Sequence, residues 1–143
     1  MIRRKGREIA LQILYLIDVV GLGVDEALES YHKHLNIEDE KAYLFGEKIV
    51  RGVVANKDRI DSYIKRYTPT WPFERLNITD RNILRIALYE FLYCPDIPCV
   101  VSINEAVELA KTFGTDESPS FVNGILDQIY KNEIQPQEKL SFR

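Results

Sequence analysis

Apolar residues recur at intervals of three and four along most of this chain, and that spacing constrains the fold more than any other feature. Ile9, Ala10, Ile13, Leu14 and Ile17 make one face of a first helix, predicted from about Arg3 or Arg4 to Val20, where Gly21 and Gly23 break it. Asp25 is placed to cap a second helix carrying Ala27, Leu28, Tyr31 and Leu35. A third, over 39–54, buries Ala42, Phe45, Ile49, Val50 and Val53, and a fourth, over 57–67, buries Ile60, Ile64 and Tyr67. The stretch TPTWPF at 68–73 is the strongest internal breaker, because two prolines within four residues forbid a continuous helix. It divides the chain into helical subdomains of about 1–67 and 73–135.

Beyond that seam, Asn77 to Asp80 offer caps for a helix running to Tyr93, ended by Pro95 and Pro98. Ser102 and Glu105 have the spacing of a capping box for the next helix, which Gly114 terminates. Ser118 before Pro119 reads as the cap and first-turn proline of a last helix with Phe121, Val122, Ile125, Leu126 and Ile129. After Pro136 the tail is polar and expected to be loose. No run alternates with a period of two. The expectation is a single all-α domain of about seven helices in two tightly packed subdomains. Its 143 residues are 45% hydrophobic and 29% charged, which is enough to build a core and excludes disorder.

Charge is distributed unevenly. The formal net charge of −3, from 19 basic and 22 acidic residues, argues taken whole against a nucleic-acid partner. Arg3, Arg4, Lys5 and Arg7 nevertheless put +4 into the first seven residues, which leaves −7 on the rest. At about 100° per residue Arg4, Arg7, Leu11 and Tyr15 share one face of the first helix, so a basic stripe with one tyrosine is expected to face solvent. Guanidinium groups suit phosphates, and an exposed aromatic ring suits an unpaired base. The turn from Phe113 to Phe121 is a second candidate, since main-chain amides at a helix start can receive an anion. Capping is its plainer role. Asp80, expected to be exposed, is either a helix cap or a contact for a partner protein.

Catalytic patterns are weak. There is no phosphate-cradling glycine loop and no nucleophile elbow, and Ser62 with Lys65 is a chance S-x-x-K on a solvated face. Cys94, Cys99, His32 and His34 fit no zinc spacing. The N-terminus has no apolar signal core, and two cysteines are no disulfide framework, so a cytoplasmic protein is expected.

Three stretches, RRKGREIALQILY, DRNILRIALYEFL and INEAVELAKTFGTDESPSFVNGILDQIY, in that order and with TPTWPFERL between the first two, resemble the NusB family of bacterial antitermination factors. The resemblance implies a seven-helix fold without enzymatic activity, cofactor or metal. It further implies binding of the single-stranded boxA element of ribosomal RNA leaders together with the ribosomal protein NusE, in a complex with NusA, NusG and RNA polymerase. A homodimer of the free protein is another implication. The family's arginine-rich motif falls on Arg3, Arg4 and Arg7, and its tyrosine at the edge shared by RNA and partner on Tyr15. Its second RNA-contacting stretch falls on Phe113, Gly114, Glu117 and Ser118, and its acidic NusE contact on Asp80. Ser120 stands where well-known members carry lysine, and Glu117 where they carry aspartate.

Two other readings stay open at this point. Some ribosomal RNA cytosine methyltransferases begin with a domain of this kind, although those continue into a catalytic domain. A protein that binds NusE without reading RNA is the other.

Overall fold

The structure, a computed structural model, describes residues 2–34 and 39–141, with side chains to 138. Leu35, expected on the second helix, lies outside the described residues. Seven helical rods follow one another among those residues: α1 (Ile2–Tyr15, continued by a π turn Leu16–Val20), α2 (Val24–His32), α3 (Glu40–Ala55), α4 (Lys57–Tyr67), α5 (Ile78–Tyr93), α6 (Cys99–Phe113) and α7 (Ser118–Ile129). A π turn, Tyr130–Ile134, and a last helical segment, Gln135–Ser141, extend α7. Gly21 ends the first rod in the left-handed region at φ 81°, a conformation glycine adopts without a Cβ penalty.

α5 is the axis of the molecule. Its residues from Asn82 to Phe91 are all buried, and it packs against α1, α3, α4, α6 and α7. The apolar face read from the sequence of α1 meets α3 at very short range. A Cβ added at Gly6 would stand 2.7 Å from the Phe45 ring, and one added at Gly46 would stand 2.7 Å from the Gly6 carbonyl oxygen. The two glycines let the backbones approach, which makes Phe45 a half-buried lid over the contact.

Two buried arginines hold neighbouring helices to α5. Arg85 donates through Nε and Nη2 to both oxygens of Asp61 on α4, at 2.8 and 2.9 Å. Its Nη1 donates to Asp18 at 2.8 Å and to Asn82 Oδ1 at 2.9 Å. Asp18 lies in the π turn, so the widened turn supplies a carboxylate that ties the end of α1 to α5. Arg7 on α1 donates in the same fork to Glu90, Nε at 2.7 Å and Nη2 at 2.9 Å, and Glu90 is 1% exposed.

Four local expectations are corrected. Ser102 and Glu105 form no capping box: α6 starts a turn earlier, after Pro98, and Ser102 Oγ donates to Glu90 at 2.6 Å. The buried carboxylate claims the hydroxyl that the motif would spend on the backbone. Asp25 is not the cap of α2, which follows Gly23; its carboxylate instead takes Arg51 Nη1 at 2.9 Å. Ser118 is the first residue of α7, not the residue before it. The segment after Pro136 is helical, because proline is tolerated in a first turn and Tyr130 donates to Glu138 at 3.0 Å.

Removing a partner of a buried ion strands the other. Asp61→Ala is expected to lower unfolding free energy by about 3 kcal/mol, the low end for such a loss, since Asp18 and Asn82 still hold one edge of Arg85. The exposed Asp58→Ala, on the same helix, should stay within about 0.5 kcal/mol. Urea unfolding of both variants measures the difference.

Candidate nucleic-acid interface

The basic stripe of α1 is divided by depth. Arg3 and Arg4 are exposed, with side chains 53% and 51% accessible, whereas Arg7 is 3% exposed and Leu11 is buried. The expectation that all four residues of the stripe face solvent is therefore corrected for Arg7 and Leu11. The reason is that α3 and α5 pack against the middle turns of α1, so Arg7 meets Glu90 of α5 and the Phe45 ring of α3. The neighbouring acids were not visible in the charge pattern. Arg4 donates to Glu105 through Nε at 3.1 Å and Nη2 at 2.7 Å, and Arg7 reaches the same carboxylate at 3.4 Å. Arg3 pairs with Asp96 at 3.2 Å in an exposed contact. The hydrogen bond from Arg4 to Glu105, desolvation notwithstanding, holds the Glu105 carboxyl below the ordinary range, and the same bond raises the Arg4 guanidinium. Read along the chain, Glu105 stands out only by its capping-box spacing from Ser102; its pairing with the arginines is visible only across helices.

α6 follows α1 in the same sense. Glu105 meets the arginines at one end, and Phe113 shares a groove with Leu11, Gln12, Tyr15, Leu16, Tyr31 and Thr79 at the other. Tyr15, 46% exposed, and Phe113, 38% exposed, are thus brought to one groove of about 380 Å³. At 1.5 Å per residue the arginine end and Tyr15 stand about 16 Å apart along α1, so the face is an elongated strip. Such a strip, with cations at one end and aromatic rings at the other, can take the backbone and unpaired bases of a single strand.

The turn after α6 is built tightly. A Cβ at Gly114 would stand 2.5 Å from Ser118 Oγ and 2.8 Å from the Ala110 carbonyl oxygen, so only glycine fits there. Ser118 is buried; its Oγ accepts from the Thr115 amide at 2.9 Å and lies 3.2 Å from the Thr115 hydroxyl. Asp80, expected to be exposed, is 8% exposed. The α6–α7 turn folds back over the start of α5 and covers it. Asn77 caps α5, accepting from the Asp80 amide at 3.2 Å, while Asp80 Oδ1 has no partner. Asp80 lines a cavity of about 320 Å³ with Trp71, Arg75, Thr115, Glu117 and Phe121. Glu117 and Ser120 are exposed. Of these lining residues, Trp71 and Arg75 lie outside the stretches singled out as candidate sites in the sequence. Among the described residues no helix is long and apolar enough to cross a membrane, and no group of three or more His, Cys, Asp or Glu could hold a metal ion.

Comparison with known proteins gives a consistent result. The family pattern described as the NusB family matches residues 4–131. A transcription antitermination protein NusB of Myxococcus xanthus is 46% identical over 130 residues, 89% of this chain and 93% of that protein. Among solved structures, T. maritima NusB superposes with a TM-score of 0.83 at 39% identity, over 97% of this chain and 96% of that one. A chain from a crystal structure of the antitermination factors NusB and NusE in complex with dsRNA superposes with a TM-score of 0.79 at 28% identity, over 91% and 96%.

Burial, only partly offset by the Ser118 hydroxyl, pushes the Asp80 carboxyl up. A carboxyl raised in the folded state favours folding below its unfolded value of about 3.9, and that contribution is lost as pH rises through the folded value. Asp80→Asn is expected to gain stability relative to the parent between acidic and neutral pH. Thermal unfolding across that range checks it; a difference that does not change with pH would contradict the assignment.

Proposed function

Because the chain belongs to the NusB family, we propose that it acts as an RNA-binding transcription antitermination factor, recognising the boxA element of ribosomal RNA leader transcripts together with the ribosomal protein NusE. The observation that carries this reading is the strip on α1 and α6, with exposed Arg3 and Arg4 at one end and exposed Tyr15 and Phe113 at the other. In this reading Arg3 and Arg4 hold phosphates, and Tyr15 and Phe113 take unstacked bases. Arg7 serves from beneath by fixing the position of Glu105. Glu117 contacts RNA directly, while Gly114 and the buried Ser118 shape the turn that presents it. Asp80 supports the NusE side through the same turn.

The acidic body of the chain complements a basic ribosomal protein and mainly raises the on-rate for it. With NusE bound, the RNA surface extends over both proteins, and the pair joins NusA, NusG and RNA polymerase on the nascent transcript. This role needs no enzymatic activity and places the protein in the cytoplasm. The ion pairing of Arg3 and Arg4 favours one second reading, a protein that binds NusE without holding RNA.

A gel-shift with boxA RNA, alone and with NusE, separates the two. Arg3→Ala and Arg4→Ala are each expected to weaken boxA binding by the NusE complex roughly tenfold. Each should also lower the slope of log affinity against log salt by about one. Unchanged binding in the double variant, with the fold intact, would favour the second reading.

A further inference from the structure

Glu105 occupies the place on Arg4 where a phosphate would bind. Both Glu105 oxygens lie on one edge of the Arg4 guanidinium, at 2.7 and 3.1 Å, which is the bidentate geometry arginine offers to carboxylate and phosphate alike. Arg7 does not need Glu105 to stay in place, because Glu90 holds its Nε and Nη2, and Ser102 in turn donates to Glu90. Arg4 has no other hydrogen-bond partner among the described residues, so Glu105 alone sets its orientation. Glu8 and Glu108 line the same hollow and add to the negative potential around Arg4. The Glu105 side chain is 15% exposed, close enough to solvent for an RNA phosphate to compete with it.

We propose that Glu105 is a specificity-determining residue of the RNA face: its carboxylate occupies the phosphate-binding edge of Arg4 when RNA is absent. An isolated phosphate then meets an arginine that is already neutralised and gains little. An RNA that also engages the groove of Tyr15 and Phe113 gains enough elsewhere to take the arginine from Glu105. The acid thus lowers affinity for RNA in general more than it lowers affinity for the cognate element. The inference rests on the reading of α1 and α6 as an RNA face.

The test uses the full chain with NusE, and two RNAs of equal length, boxA and a scrambled sequence. Glu105→Gln keeps the shape and one hydrogen bond to Arg4 while removing the charge. It is expected to bind scrambled RNA at least about fivefold more tightly, on the scale of a single screened charge contact. The ratio of boxA to scrambled affinity should fall, and the salt slope should steepen by about one. Glu105→Asp, which withdraws the carboxylate by one methylene, should move the same readouts in the same direction by less, and serves if the glutamine variant does not fold. Weaker binding of both RNAs with their ratio preserved would overturn the proposal, since a residue that only supports Arg4 would act that way. Unchanged binding of both would overturn it as well. Loss of effect from Arg3→Ala and Arg4→Ala in the parent would instead mark failure of the RNA face itself.

Discussion

The Arg7–Glu90 pair is the constraint from which the rest of the molecule takes its register. A guanidinium and a carboxylate, both almost wholly buried, are tolerated only because each satisfies the other, with Ser102 and Glu105 filling the remaining positions. That requirement brings α1, α5 and α6 to one relative depth and rotation. Arg85 does the same on another side of α5, joining α4 through Asp61 and the end of α1 through Asp18. A slide of these helices by a turn would strand the paired charges in the interior, which the close apolar packing at Gly6 and Gly46 opposes as well.

The consequence at the surface is that one short basic segment serves two purposes. Three residues apart on a helix, Arg4 and Arg7 lie on the same face but at different depths, because Arg7 points to Glu90 of α5 and Phe45 of α3 while Arg4 reaches only Glu105. Arg7 is spent on the core and Arg4 is left at the rim, tied to an acid that is itself placed by the core. Charge counted along the chain separates a basic end from an acidic body. Folding brings the two back together, and the acids that answer the arginines lie some ninety to a hundred residues away.

The α6–α7 turn shows the same coupling at the other end of the strip. Gly114 closes it, the Ser118 hydroxyl oxygen accepts from Thr115 within it, and Asp80 at the start of α5 lines one cavity with Thr115 and Glu117. Residues assigned by resemblance to RNA contact and to partner contact, Glu117 and Asp80, therefore line one cavity.

Helix content and order were legible from the chain, because period and punctuation are local properties: the fourth helix, the glycine and proline stops and the Asn77 cap all lie within a few residues of their signals. The three stretches that resemble one family also named the aromatic and arginine positions of the candidate face. Depth was not legible. Arg7, Leu11, Asp80 and Ser118 were each expected at the surface or at a cap, and each is buried by an element distant in sequence. Ser102 and Glu105 matched a capping box by spacing; instead Ser102 donates to Glu90 and Glu105 pairs with the α1 arginines Arg4 and Arg7. By itself the sequence determined which segments are helical and which residues carry charge or rings. Only the tertiary structure decided which of those charges face solvent, because the free energy of a charge depends on the oppositely charged group that folding sets beside it.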